Sequence, residues 1–201
     1  MFDVFGEVTW DTRDNILDPT TGFRLSGTLE PAYDVETGGL MTFVKGEASA
    51  YRVLDDAKRF VLAGRVAAGS VVGASLTDIQ PSRRYYVGVG GSVRGYGYRN
   101  IGPSVKTSDG TETVGGLSFV EGSVEARVKV TDTIGIVPFV DAGAAYEGEI
   151  PDFSEPLKIG TGVGLRYYTP IRPLRFDVAF PLDPGPNDLD FALYLGLSQA
   201  F

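Results

Sequence analysis

The sequence predicts an all-β fold, an antiparallel transmembrane β-barrel, and three observations carry that prediction. Apolar and polar residues alternate with period two over long stretches. The chain is rich in glycine (27 of 201 residues) and in Tyr and Phe (10 and 12). The segments between the alternating stretches sort into short turns and longer loops. Such alternation marks β-strands, and the glycine- and aromatic-rich composition suits a barrel or a sandwich. Short turns on one rim and longer loops on the other describe an outer-membrane barrel.

Nine strands are expected in order. The first two, at about 2–11 and 22–34, flank DNILDPTTG (14–22), a run of turn formers. DVETGG (34–39) leads to a strand at 39–53, and the short turn Leu54–Ala57 to one at 58–71. The long segment 72–115 then precedes a strand at 116–130, in which Val120, Gly122, Val124, Ala126 and Val128 share one face. Glu121, Ser123, Glu125, Arg127 and Lys129 share the other. The turn Thr131–Thr133 opens a strand at 134–147, and GEIPDFSEP follows it. In 157–169, Leu157, Ile159, Val163 and Leu165 alternate with Lys158, Gly160, Gly162, Gly164 and Arg166. After a turn around Pro170, a strand at 171–181 sets Leu174, Phe176, Val178 and Phe180 against Arg175 and Asp177. DPGPND (183–188) leads to the last strand, 189–201, which alternates through Leu193, Leu195 and Leu197 to Phe201. Most of these strands exceed the ~5–6 residues usual in globular proteins and suit the ~9–11 needed to cross a membrane at a tilt.

A soluble β-sandwich binding module is the alternative, since its strands alternate too, but its apolar faces would pack on one another. No apolar run is long enough for a transmembrane helix. Residues 1–15 carry Asp3, Glu7, Asp11 and Asp14, so no signal peptide is expected, and the chain reads as a cut or partial product. With no His and no Cys there is no Ser/His/Asp or Cys/His catalytic set, no disulfide and no His/Cys metal site. A net charge of −8 argues against nucleic acid as a partner. No cofactor, metal or enzymatic activity is expected.

The densest motif is GGSVRGYGYRNIGP (90–103), in which Gly90, Gly91, Gly95, Gly97 and Gly102 surround Arg94, with Val93 and Tyr96 beside it. Glycine lets the backbone approach other groups closely. A guanidinium offers five donors suited to carboxylates, and Glu125 and Asp141, both in strand-like contexts, are candidate partners. Asp11, Arg13 and Asp14 read as a turn held by side-chain bonds. The acidic loop residues Asp34, Glu36, Asp109, Glu112, Glu147, Glu149, Asp152 and Glu155 read as solvated charge, with divalent-ion binding at a lipopolysaccharide surface as the alternative. GTGVG (160–164) lacks the following helix of a nucleotide loop and reads as space on the inner wall or as strand curvature.

Five ordered motifs resemble the barrel of the BamA/TamA superfamily of outer-membrane assembly proteins: WDTRDNILDPTTGFRL (10–25), the VRGY segment, GGLSFVEGSVEARV (115–128), PFVDAG (138–143) and GVGLRYYTPIRPLRFDVAFPLD (162–183). A closing strand ending in Phe201 adds to them. RGYGY and PLRFDVAFPLD resemble the TamA branch. The resemblance implies that residues 1–201 are the C-terminal part of a sixteen-stranded barrel, with the periplasmic POTRA domains outside the sequence. It implies that the 72–115 loop folds into the lumen, where Arg94 pairs with Glu125 and Asp141. Gly196 and Phe201 would lie on the seam strand, with Phe201 as a sorting signal. The implied setting is the bacterial outer membrane and its lipid. The implied partners are unfolded outer-membrane clients, autotransporters among them, and a TamB-like periplasmic protein. A polypeptide-translocating pore or surface antigen of the same superfamily is the alternative within it.

Overall fold

The computed structural model describes residues 2–35, 38–88, 92–108, 110–185 and 188–201. Twelve strands form among them: β1 (Phe2–Asp3), β2 (Gly6–Asp11), β3 (Gly22–Tyr33), β4 (Leu40–Val53), β5 (Phe60–Val72), β6 (Ser104–Thr107), β7 (Gly110–Thr113), β8 (Ser118–Lys129), β9 (Ile134–Tyr146), β10 (Lys158–Tyr168), β11 (Pro173–Pro181) and β12 (Ala192–Leu197). All but β6 and β7 belong to one antiparallel sheet, ordered β1-β3-β4-β5-β8-β9-β10-β11-β12, with β2 also paired to β3.

The expected first strand is split. β1 and β2 lie in one register along β3, with Phe2 opposite Tyr33 and Gly6 opposite Leu29. Between them the Val4 amide reaches Pro31 O at 3.1 Å. Proline has no N–H to return, so the ladder loses a bond there. The β8–β9 ladder skips two pairs at Pro138 between Glu125–Phe139 and Val128–Ile136. Two further departures concern the loop and the end of the chain. The 72–115 segment contains a hairpin, β6–β7, paired from Ser104–Thr113 to Thr107–Gly110. The last strand stops at Leu197, and the backbone turns at Ser198 with φ of 78°.

The sheet is inverted relative to a water-soluble layer. Leu25, Leu29, Leu62, Val66, Val124, Val140, Leu165 and Leu195 are exposed on one face, while Glu125, Arg127, Asp141, Arg166 and Asp177 are buried on the other. Among the described residues no second sheet covers the apolar face, which is the arrangement of a wall whose outer solvent is lipid. The sandwich alternative fails on this point. The polar face is covered by the long connection between β5 and β8. Val87, Val93, Tyr96 and Ile101 pack with Ala67, Phe119 and Ala145 in one apolar cluster, and Ile79 and Leu117 pack with Ala32, Met41, Phe43 and Val71 in another.

Candidate functional site

Two glycines allow the loop backbone to meet the wall. Gly95 has φ of +106°, and a Cβ on it would lie 2.8 Å from Pro181 N and 2.9 Å from Phe180 C. On the opposing surface a Cβ at Gly160 would overlap the carbonyl oxygen of Arg94. Only Gly tolerates both demands at Gly95, and the GTGVG run supplies the matching gap on β10. Gly162 and Gly164 leave room for Phe139 and for the Arg166–Asp177 pair in the same way.

Arg94 is thereby fixed among strands β8, β9 and β11. Its Nε donates to Asp141 Oδ2 at 2.7 Å and its Nη2 to Asp141 Oδ1 at 2.9 Å. Nη1 donates to Glu125 Oε1 and to Asp177 Oδ2, both at 2.9 Å, and Nη2 also reaches Ser123 Oγ at 3.3 Å. All five guanidinium hydrogens have acceptors. The Arg94 backbone amide adds a 3.0 Å bond to Asp141 Oδ2. The Phe139 ring lies 3.4 Å from the guanidinium carbon, a cation–π contact. Burial by itself would favour loss of the Arg94 proton. Asp141, Glu125 and Asp177 outweigh it and raise the pKa above that of a free guanidinium.

The carboxylates are held in turn. Ser123 Oγ donates to Asp141 Oδ1 at 2.5 Å, Arg127 Nε to Glu125 Oε2 at 3.0 Å, and Arg166 Nη1 to Asp177 Oδ1 at 2.5 Å. Three guanidinium groups therefore meet three carboxylates, with side-chain exposure of 3% or less, and a fourth, Arg175, lies 3.7 Å from Asp177 Oδ2 at the margin. A buried charge persists only when paired and hydrogen-bonded, and here each one is.

Of the residues singled out in the sequence, Arg94, Glu125 and Asp141 are in direct contact. Val93 and Tyr96 are buried in the apolar cluster beside them. Gly196 lies under Arg175, whose Nε and Nη2 are 3.2 Å from the position of an added Cβ. Phe201 is folded inward instead of ending an edge strand. Its ring faces Arg127 at 5.3 Å and Tyr51 at 6.2 Å, and its carbonyl accepts from Arg127 Nη2 at 3.1 Å. Gly90 and Gly91 lie outside the described residues.

The sequence reading did not single out Asp177, Arg166, Ser123 or Gln199. Gln199 Oε1 accepts from Arg166 Nε, and its Nε2 donates to Asp18 Oδ1, both at 2.8 Å. One available signal for Arg166 was its place on the glycine-lined face of its strand, after Gly160, Gly162 and Gly164.

Elsewhere, Asp14 holds the 14–22 turn. It accepts from the Thr20 and Thr21 amides at 2.8 and 3.1 Å and from Thr20 Oγ1 at 2.6 Å. Asp11 pairs with Arg13 at 2.6 Å. Glu36 and Asp109 of the acidic loop set lie outside the described residues. Among the described residues no group of three or more His, Cys, Asp or Glu could hold a metal.

Comparison with known proteins finds the following likenesses for the chain as a whole. The Omp85 superfamily domain matches residues 1–201. The outer membrane protein assembly factor BamA of Nitratidesulfovibrio vulgaris is 32% identical over 182 residues, covering 88% of this chain and 22% of that protein. A SAM50-like protein of Schizosaccharomyces pombe is 26% identical over 197 residues, covering 90% of this chain and 40% of its own length. The crystal structure of BamA from Haemophilus ducreyi lacking POTRA domains 1–3 superposes with a TM-score of 0.79 at 20% identity. That match covers 98% of this chain and 42% of the other, and it speaks to fold alone. The chain spans less than half the length of each of these relatives.

Proposed function

This chain belongs to the Omp85 superfamily, and from that premise we propose that it is barrel wall of an assembly factor that inserts β-barrel proteins into the bacterial outer membrane. The role is non-enzymatic. One observation carries the reading: a loop arginine saturated by carboxylates from three strands, on the buried side of a sheet whose other side is apolar and exposed. In this reading Arg94, Glu125 and Asp141 lock the 72–115 loop inside the lumen and keep the wall in one shape, with Val93, Gly95 and Tyr96 seating it. The last strand, β12 with Gly196, is the seam, and Phe201 is tucked against Arg127 beyond its end. The outer edge of β12, unpaired among the described residues, would offer backbone groups to an incoming client strand by β-augmentation.

RGYGY (94–98) and PLRFDVAFPLD (173–183) favour the TamA branch within the superfamily. On that finer reading the clients include autotransporters and the periplasmic partner is TamB-like. A translocating pore or surface antigen needs an open path through the lumen. The packing of the loop on the inner face favours the assembly role over that alternative.

The test is reconstitution in liposomes with an unfolded outer-membrane client. Insertion should proceed with the native protein, fall with Arg94→Ala, and recover in part with Arg94→Lys. Insertion at the rate of empty liposomes with folded native protein would overturn the reading. Polypeptide transport without insertion would move the assignment to the pore.

A further inference from the structure

We propose that Tyr194 and Asp188 are positioning residues through which the seated loop holds the last strand, so that loop withdrawal and strand release are one coupled event. The inference rests on the assembly reading above. β12 is paired only to β11 among the described residues, over Ala192–Leu197. On its outward face Leu193, Leu195 and Leu197 are exposed by 56, 82 and 57%, so none of the described residues covers them.

What holds the strand lies on the inner side. The Gly95 amide donates to Tyr194 Oη at 3.0 Å. Just before the strand, Asp188 Oδ1 accepts from the Gly97 amide at 3.1 Å and from Asn100 Nδ2 at 2.6 Å. Asp188 Oδ2 accepts from the Gly185 amide at 2.9 Å, which fixes the carboxylate itself.

The coupling follows from adjacency. The Arg94 amide and guanidinium are bound to Asp141, and the next amide along the chain is the one bound to Tyr194. Gly95 is pressed on Phe180 and Pro181, directly before the connection to β12. Arg94 cannot leave its carboxylates without taking the Gly95 N–H from Tyr194, and a buried amide without an acceptor is costly. The far end of the loop is held separately: Arg83 donates to Glu30 and, at 3.2 Å, to Asp3, and lies 4.4 Å over the Phe43 ring.

The experiment is hydrogen–deuterium exchange on the protein at its natural length in phospholipid nanodiscs. Tyr194→Phe removes one acceptor and keeps the ring. It should speed exchange across Ala192–Leu197 by about tenfold while leaving β8 and β9 unchanged. Asp188→Ala should act in the same direction. Arg94→Lys should also speed exchange in β12, but should add little once Tyr194→Phe is present, because both act on one event. Unchanged β12 exchange in Tyr194→Phe and Asp188→Ala would overturn the proposal, as would independent, multiplying effects of Arg94→Lys and Tyr194→Phe. Client insertion measured on the same samples separates the two readings. Coupling without insertion retains the strap and removes the assembly role, and insertion without coupling does the reverse.

Discussion

Two charged clusters occupy the inner face of the same sheet, and they are built differently. Every guanidinium hydrogen of Arg94 has an acceptor and the side chains that meet it are closed to solvent, while Arg166 Nη2 beside it has no hydrogen-bond partner. Around Arg65, one Nη2 serves both Glu47 and Glu121 at 2.8 and 2.7 Å, and side-chain exposures reach 21%. Arg24 joins at 3.5 Å with 29% exposure. The loop touches both: Arg94 enters the first, and Ser92 Oγ donates to Glu121 in the second at 2.5 Å. The saturated cluster has one low-energy arrangement, because moving any member strands a buried charge. The wetter one can exchange partners with water. The first fixes geometry and the second tolerates adjustment.

The largest expected effect tests this contrast directly. Arg94→Ala leaves Glu125, Asp141 and Asp177 short of a cation and should cost about 3–5 kcal/mol of barrel stability. Heat-modifiability on gels and urea titration in micelles would measure it, and a loss below about 1 kcal/mol would show that the cluster is as wet as its neighbour. Gly160→Val comes next. Its side chain occupies the position of the Arg94 carbonyl, so the loop must lift, with a loss of about 2–4 kcal/mol and new protease sensitivity near 92–103. Glu121→Gln should cost only about 1–2 kcal/mol by the same titration, since Arg65 keeps Glu47.

The smallest effect lies in the 14–22 turn. Partial burial pushes the Asp14 carboxyl up, but bonds from Thr20 and Thr21 win and hold it below the usual carboxylate range. A depressed folded pKa gives stability that is complete above the unfolded value, ~3.9, and is lost as pH falls through the folded one. Protection of the Thr20 and Thr21 amides, taken against intrinsic exchange at each pH, should therefore fall below about pH 4, and Asp14→Asn should abolish that dependence.

Much of the wall was legible because lipid on one side and a polar lumen on the other impose the same period-two rule on every strand. Each of the nine expected strands is present in the sheet. The residues around Arg94 were legible in part: Glu125 and Asp141 stand on the polar faces of strongly patterned strands, whereas Asp177 alternates just as clearly but sits 83 residues from Arg94. Nothing local distinguishes it from a solvated charge. The split at Pro31 was readable in principle, since proline in a strand interior removes a donor. The inward turn after Leu197 was not. The alternation runs unbroken to Phe201, and the contacts that turn the tail, Gln199 with Arg166 and Asp18, join parts of the chain 33 and 181 residues apart.

The shortness of β12 bears on turnover. It has 6 residues where β4 has 14, so a strand aligned on its free edge gains fewer than half the backbone bonds of an interior pair. Each such bond contributes about 1 kcal/mol net, and a shorter template loses its guest exponentially faster. In the proposed assembly role, an edge that gripped as firmly as the rest of the wall would keep its first guest, whereas a six-residue edge would let go and serve again.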